Sequence, residues 1–168
     1  MRVLGIDCGS EITGYGVVEE TTAGKLRCLE AACIRLSARE PLSSRLERVF
    51  VQLARVIELH QPRVVAIEGV FYSVNAKSAL KLGHVRGVAV LAAGRYGLEV
   101  AEYAPLTIKS AVVGYGRAEK QQVQKMVARL LHLEAPPEPP DVADALAIAI
   151  CHLHTTATLK RQAAAAAR

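Results

Sequence analysis

The sequence has no tryptophan, only five tyrosines and two phenylalanines, and no pair of cysteines with metal-site spacing. Its four cysteines contain no CxxC pair, so neither a zinc site nor a disulfide framework is indicated. It also lacks a signal-peptide pattern and any run of 18 uncharged apolar residues. These absences predict a soluble, cytoplasmic protein with no membrane partner.

What the chain does contain is apolar and slightly basic. Hydrophobic residues make up 51% of 168 residues, which excludes a disordered protein and suits a single domain. The formal charge of +5 suits a nucleic-acid partner without requiring one. We expect one domain over residues 1–157, followed by a frayed or disordered basic tail over residues 158–168.

The hydrophobic patterns predict a mixed α/β domain in the order β-β-β-α-β-α-β-α-α. Short connections join the first three strands, which predicts an antiparallel meander. A crossover helix between the last two strands predicts that these are parallel. The first helix is expected to begin at a capping box, residues 44–47. The predicted strands are residues 2–8, 15–19, 25–36, 63–68 and 98–103. The predicted helices are residues 44–61, 76–95, 118–132 and a segment from residue 140, and residues 105–113 are expected to form only a short helical piece.

Two of the predicted strands end in an acid. Asp7 and Glu68 each close an apolar segment, and alternation places each acid on the same strand face as the residues two and four positions earlier. If the strands are parallel neighbours, both acids lie at the carboxyl edge, where open α/β sheets bind ligands. Taken singly, Asp7 could be a turn acid that caps a loop, and Glu68 could be a strand-end acid paired with a lysine.

The last helix adds two more acids. Asp141 and Asp144 follow two prolines and precede an apolar run, and residues three apart share a helix face. Asp141 could be a simple helix cap, whereas Asp144 is expected to face other protein. Four carboxylates at one edge repel one another unless cations neutralise them, and an all-oxygen ligand set suits Mg²⁺ or Mn²⁺. Two such cations could activate water at a phosphodiester.

Several bases and aromatics accompany the predicted acidic edge. Phe71 and Tyr72 follow Glu68 closely and could stack on an unpaired base, although a half-buried structural role suits Tyr72 better. Gly83 and Gly87 interrupt a helix, which requires close packing against either the sheet or a second subunit. Bases that could hold phosphates, each otherwise an ordinary solvated charge, are Lys77, Lys81, Arg86, Lys109, Arg117, Lys120 and Lys125.

With these residues placed, the chain resembles the RuvC-type Holliday-junction resolvases. The likeness covers residues 1–154, and its motifs occur in family order. One departure is Cys8, where the family usually has proline, which alters the stiffness of the loop beside Asp7. The segments that carry the resemblance are LGIDCGS at 4–10, TGYG at 13–16, IEGVF at 67–71, VVGYGRAEK at 112–120 and DVADALAIA at 141–149.

The resemblance implies a ribonuclease H-like mixed sheet of five strands flanked by helices. It also implies a homodimer that nicks opposing strands of four-way junction DNA at symmetric positions with two Mg²⁺ ions per site, Mn²⁺ being able to substitute. The implied partner is a branch-migration motor complex of RuvA and RuvB type proteins. By motif, Asp7, Glu68, Asp141 and Asp144 resemble the catalytic, metal-binding acids, and Phe71, Lys109 and Lys120 resemble DNA-binding residues.

The sequence leaves two other functions open. Asp7 with Gly9, Gly14 and Gly16 also resembles the phosphate loop of actin-like kinases and ATPases, although those need two such domains and this chain has the length of one. A non-catalytic junction-binding module could keep the fold, but it would be expected to have lost some of the acids.

Overall fold

The computed structural model describes residues 1–69 and 76–167, apart from the side chain of Lys77. These residues form a mixed sheet of five strands in the order β3-β2-β1-β4-β5, flanked by helices. The strands are β1 (Arg2–Asp7), β2 (Ile12–Glu20), β3 (Leu26–Arg35), β4 (Val64–Glu68) and β5 (Glu99–Tyr103). The helices are α1 (Leu42–His60), α2 (Ala76–Arg95), α3 (Pro105–Val113), α4 (Lys120–Leu130) and α5 (Pro140–Ala166).

The strand pairing confirms the predicted topology. β2 pairs antiparallel with both β1 and β3, which is the predicted meander. β4 lies between β1 and β5 and is parallel to both. The β1–β4 register ends at Ile6 opposite Ile67, so Asp7 and Glu68 are the next residues along at the same edge of the sheet.

Strand alternation divides the interior into two cores, one on each face of the sheet. On β1, Val3 packs with the apolar residues of α3, α4 and α5, whereas Leu4 and Ile6 pack with α1 and α2. On β4, Ala66 joins the first core and Ile67 the second. Asp7 and Glu68 continue the α5-facing rows, as the alternation predicted.

Helix α5 lies directly against β1 and β2 because the facing strand positions are glycine. A Cβ at Gly5 would lie 2.0 Å from the carbonyl oxygen of Ala145, and one at Gly14 would lie 2.0 Å from that of Asp141. Such distances are far below van der Waals contact, so a side chain at either position would displace the helix. This close approach fixes the first turns of α5 over the ends of β1 and β2.

Helix α5 is also the most deeply buried helix of the chain. Apart from Asp144, which is partly exposed, residues 142–153 are buried. Its length and apolar composition would allow it to span a bilayer, but 61% of its most apolar 18-residue window is buried inside the protein. The protein core therefore accounts for the apolar character of α5.

The start of α1 differs from the prediction. The helix begins at Leu42 after Pro41, so residues 44–47 lie inside it and the predicted capping box there is wrong. Proline is tolerated at the entrance of a helix, so α1 can begin directly after Pro41, before the serine at which the predicted capping box starts. A capping box does exist at α4, where the backbone N–H of Glu119 donates to Oε1 of Gln122 at 2.9 Å.

Two further features of the helices differ from the sequence-based expectations. The order contains one helix more than predicted, because the short piece after β5 is a full helix, α3. In place of a frayed tail from residue 158, α5 continues as exposed helix to Ala166. This last part of the helix is rich in alanine, the strongest helix former, and needs no packing surface.

We expect Gly5→Ala to lower the free energy of unfolding by about 3 kcal/mol, because its Cβ would collide with the backbone of α5. The matched control is Gly16→Ala, at the position paired with Gly5, where the nearest atoms belong to the Leu146 side chain and can move. That variant should lose about 1 kcal/mol. Denaturant unfolding measures both, and equal losses would contradict the backbone contact.

Candidate active site

Acids and bases from five elements line a pocket of about 160 Å³ at the carboxyl edge of β1 and β4. The pocket, called the acid pocket below, is lined by the acids Asp7, Glu68 and Asp144 and by the bases Lys109 and Lys120. Pro105, Ile108, Val123, Ala147 and Ile148 complete its wall. Three of the four predicted acids and both predicted lysines therefore lie together.

The chain brings the acids together through strand ends and one helix. Asp7 is the last residue of β1 and Glu68 the last residue of β4, and these parallel strands end at the same edge. Asp144 lies one turn into α5, whose entrance is held over β2 by the contact at Gly14. The meeting of these residues depends on the glycine contacts described above.

Asp141 occupies a different position from the other three acids. It lies in the first turn of α5, where Pro139 is the N-cap and Pro140 the first helical residue. No side chain among the described residues caps this end, so the interpretation of Asp141 as a side-chain cap is wrong. Asp141 does not line the acid pocket, yet its charge helps to raise the pKa of Asp7.

Burial and like charges make the acid pocket electrostatically unfavourable for a carboxylate. Burial, and then the charges of Asp144, Glu68 and Asp141, raise the pKa of Asp7 from 3.8 to about 7, and Lys120 opposes this only in part. Burial and Asp144 likewise raise the pKa of Glu68, with Lys120 and Lys109 opposing. The pocket therefore holds more negative charge than its own lysines neutralise.

Lys120 makes the direct ion pair of the acid pocket. Its Nζ lies 2.7 Å from Oδ2 of Asp144, and this hydrogen bond raises the pKa of Lys120. The Lys120 side chain is 59% exposed, so it reaches the pocket from solvent. Lys109 lines the same pocket from α3. Both lysines are within reach of a phosphate that enters the pocket.

The acid pocket offers a divalent cation a suitable set of donors. Within residues 1–69 and 76–167, no three His, Cys, Asp or Glu side chains stand in the geometry of a metal site. The donors are nonetheless all oxygens. Burial, and then the charges of Asp144, Glu68 and Asp141, raise the pKa of Asp7, and a bound cation would offset these charges. The residues therefore fit a hard divalent cation, which would compete with Lys120 for Asp144.

Phe71 lies outside the described residues, so its predicted contact with DNA stays a prediction.

Arg86, one of the bases predicted to hold phosphates, instead contacts the protein, and its side chain is only 17% exposed. Its Nη1 donates to the backbone carbonyl oxygen of Glu68 at 2.6 Å. The same helix also carries Lys81 and Arg95, so the sequence gives no signal that sets Arg86 apart.

Comparison of the sequence with known proteins gives one consistent family. The family model described as "RuvC: Crossover junction endodeoxyribonuclease RuvC" matches residues 3–152. The crossover junction endodeoxyribonuclease RuvC of Koribacter versatilis is 66% identical, over 99% of this chain and 100% of that protein. The protein with the same description from Acidobacterium capsulatum is 60% identical, over 96% of this chain and 98% of that protein.

Solved structures agree with the sequence comparison. Thermus thermophilus RuvC in complex with a Holliday junction substrate has a TM-score of 0.87 and 33% identity, over 94% of this chain and 96% of that chain. The yeast mitochondrial Holliday junction resolvase Ydc2, at a TM-score of 0.68 and 18% identity over 95% of this chain and 80% of that one, shares the fold. The predicted ribonuclease H-like sheet of five strands is confirmed, and the chain belongs to the RuvC family of crossover junction endodeoxyribonucleases.

Proposed function

We propose that this protein is a Mg²⁺-dependent endonuclease that resolves four-way DNA junctions by paired symmetric nicks, in homologous recombination and DNA repair. The observation that carries the proposal is the acid pocket, in which Asp7, Glu68 and Asp144 face Lys109 and Lys120. Membership of the RuvC family supports the same function.

The acids and lysines of the site have separate roles in this proposal. Asp7, Glu68 and Asp144, with Asp141 beside them, would hold two Mg²⁺ ions, and Mn²⁺ has the same preference for oxygen ligands. When bound, the cations would supply the charge that activates the attacking water and stabilises the leaving oxygen of a phosphodiester. Three acids and two lysines line the pocket, and this net negative charge favours the binding of the cations.

Lys120 and Lys109 would hold the DNA backbone at the cut. In the free protein Lys120 neutralises Asp144 at 2.7 Å. A cation on Asp144 would repel the Lys120 ammonium group, which could then bind a phosphate oxygen. Lys109, which lines the same pocket, would contact the same backbone. Phe71 would stack on a base at the opened junction centre, as the family resemblance implies.

The wider setting of the proposal follows from the family resemblance. The protein would act in the cytoplasm as a homodimer, because two opposing strands must be cut at symmetric positions. It would receive its junction from a branch-migration complex of RuvA and RuvB type proteins. An actin-like ATPase or a non-catalytic junction-binding module would each fail the cleavage assay described next.

Asp7→Asn should lower cleavage of a synthetic four-way junction in Mg²⁺ by more than about 100-fold, since even outer-shell supports of a metal ligand are worth 10–100-fold. Junction affinity should stay equal or increase, because one negative charge near phosphate is removed. A gel-based cleavage assay and a binding titration without Mg²⁺ measure the two effects.

The matched control for this experiment is Glu47→Gln, an exposed acid on α1 across the sheet, which should cleave like the unmodified protein. A linear duplex of the same sequence tests junction selectivity. Loss of junction binding by Asp7→Asn, or cleavage at the normal rate, would contradict the proposed role of Asp7.

Without metal, Asp7→Asn should stabilise the fold increasingly as the pH rises. The pKa of Asp7 is higher in the folded chain, about 7 against an ordinary 3.8, so the folded state binds the proton more tightly. The stabilisation that the folded state gains by binding this proton is complete below pH 4 and is lost as the pH rises through about 7. The variant should therefore gain little near pH 4 and up to about 4 kcal/mol at pH 8.

Calorimetric unfolding in EDTA at pH 4, 6 and 8 measures this gain. Glu47→Gln, measured in the same way, is the control. Added Mg²⁺ should then stabilise the unmodified protein more than the variant, because only the unmodified site has its full ligand set. A gain that is the same at all three pH values would contradict the repulsion within the acid pocket.

Helix α2 offers the surface for the proposed homodimer. Leu80 and Leu91 are 64% and 61% exposed, and Gly83 and Gly87 lie between them on the same stripe of the helix. A Cβ at either glycine would have no atom of the described residues within 4 Å. This open space argues against packing on the sheet, one of the two predicted reasons for these glycines, and supports the other, contact with a second subunit.

Gly87→Gln should convert the protein from a dimer to a monomer without unfolding it, because the new side chain enters open space in the single chain. Helix propensity favours the substitution. Light scattering coupled to gel filtration measures the mass. Val51→Gln, at a 58% exposed position on α1, is the control and should stay dimeric. A dimeric Gly87→Gln protein would contradict this interface.

A further inference from the structure

Arg86 connects the carboxyl ends of two neighbouring strands from the side of α2. Its Nη1 donates to the backbone carbonyl oxygen of Glu68 on β4, and its Nη2 lies 2.6 Å from Oε2 of Glu102 on β5. Two nitrogens of one planar guanidinium therefore contact two strands. A lysine ammonium group could not span both contacts in the same way.

Arg86 contacts β4 at Glu68, the residue at which β4 no longer pairs with β1. The β1–β4 register ends at Ile6 opposite Ile67, one residue before Glu68. On the other side, Glu68 still pairs with Tyr103, and the N–H of Gly69 donates to the Tyr103 carbonyl oxygen at 2.8 Å. Backbone pairing thus holds this strand end from the β5 side, and Arg86 supplies a donor from α2.

The cleft beside Arg86 shares its acids with the acid pocket. Arg86 lines a cavity of about 170 Å³ together with Asp7, Glu68 and Pro105, and these three residues also line the acid pocket. Arg86 does not line the acid pocket itself. Arg86 therefore contacts Glu68 through the backbone and from outside the acid pocket, and does not occupy the space that the acids share there.

We propose that Arg86 is a positioning residue that fixes the end of β4 so that the Glu68 carboxylate is held in place as a metal ligand. This inference rests on the proposed function, because it assigns Glu68 to the metal site. The bond to the Glu68 carbonyl restrains that peptide, and with it the position of the Cα from which the Glu68 side chain extends. The contact with Glu102 holds the guanidinium itself in place.

The two contacts of Arg86 can be separated by substitution. Arg86→Gln removes both, Arg86→Lys keeps the charge but cannot bridge, and Glu102→Gln keeps the bond to the Glu68 carbonyl. Glu102 is 56% exposed, so its ion pair is screened by solvent and should matter less. The proposal therefore predicts a large effect for Arg86→Gln, an intermediate effect for Arg86→Lys and a small effect for Glu102→Gln.

The first measurement is the affinity of the protein for Mn²⁺ without DNA. Electron paramagnetic resonance measures the concentration of free Mn²⁺ during the titration. Arg86→Gln should weaken Mn²⁺ affinity by about tenfold or more, in line with the loss of an outer-shell support. Glu102→Gln should stay within about threefold of the unmodified protein. Circular dichroism confirms that each variant is folded before titration.

The second measurement separates positioning from a merely structural role. In junction cleavage, Arg86→Gln should lower kcat at moderate Mg²⁺ with KM for the junction unchanged, and excess Mg²⁺ should restore kcat. A general weakening of the fold would not be corrected by Mg²⁺ in this way. Higher KM with unchanged Mg²⁺ dependence would instead show that Arg86 binds DNA, which would overturn the proposal.

The outcomes distinguish this inference from the proposed function. If the unmodified protein binds no Mn²⁺, the proposed metal site is wrong. If it binds Mn²⁺ and folded Arg86→Gln binds equally well, only the role of Arg86 is overturned. If Arg86→Gln does not fold, Arg86→Lys decides the question: weaker Mn²⁺ binding supports the proposal, and unchanged binding overturns it.

Discussion

The contact between the backbone of α5 and the glycines of β1 and β2 is the constraint on which the site depends. Gly5 and Gly14 leave no room for a side chain, so the helix lies on the strands themselves. That approach brings Asp144 to the strand ends that carry Asp7 and Glu68. The same geometry gathers like charges in a half-buried place, so the arrangement that forms the site also destabilises it.

Lys120 shows how the free protein tolerates this repulsion. Its ammonium group neutralises Asp144 from solvent, and its charge lowers the pKa of both Asp7 and Glu68 against the larger effect of burial. A lysine on a flexible stem is suited to such a temporary role, because it can leave without disturbing the backbone. A rigid, buried arginine at this place would hold the acids permanently.

The sequence was sufficient wherever local periodicity decides the structure. Alternation placed Asp7 and Glu68 on the correct strand face, and the crossover rule predicted that β4 and β5 are parallel. It was insufficient where distant residues decide the outcome. The pairing of Arg86 with the backbone of Glu68 involves no side-chain pattern, and only the fold places these residues together. The position of Asp141 outside the acid pocket likewise follows from packing against Gly14.

Helix α2 joins two parts of the proposed mechanism through one rigid element. Its exposed stripe around Gly83 and Gly87 is the proposed dimer surface, and Arg86, next to Gly87 in the sequence, reaches inward to the end of β4. Symmetric cutting requires that the two acid pockets of a dimer keep a fixed separation. If both proposals hold, the helix that sets this separation also orients Glu68, so each pocket is positioned relative to its partner by a single element.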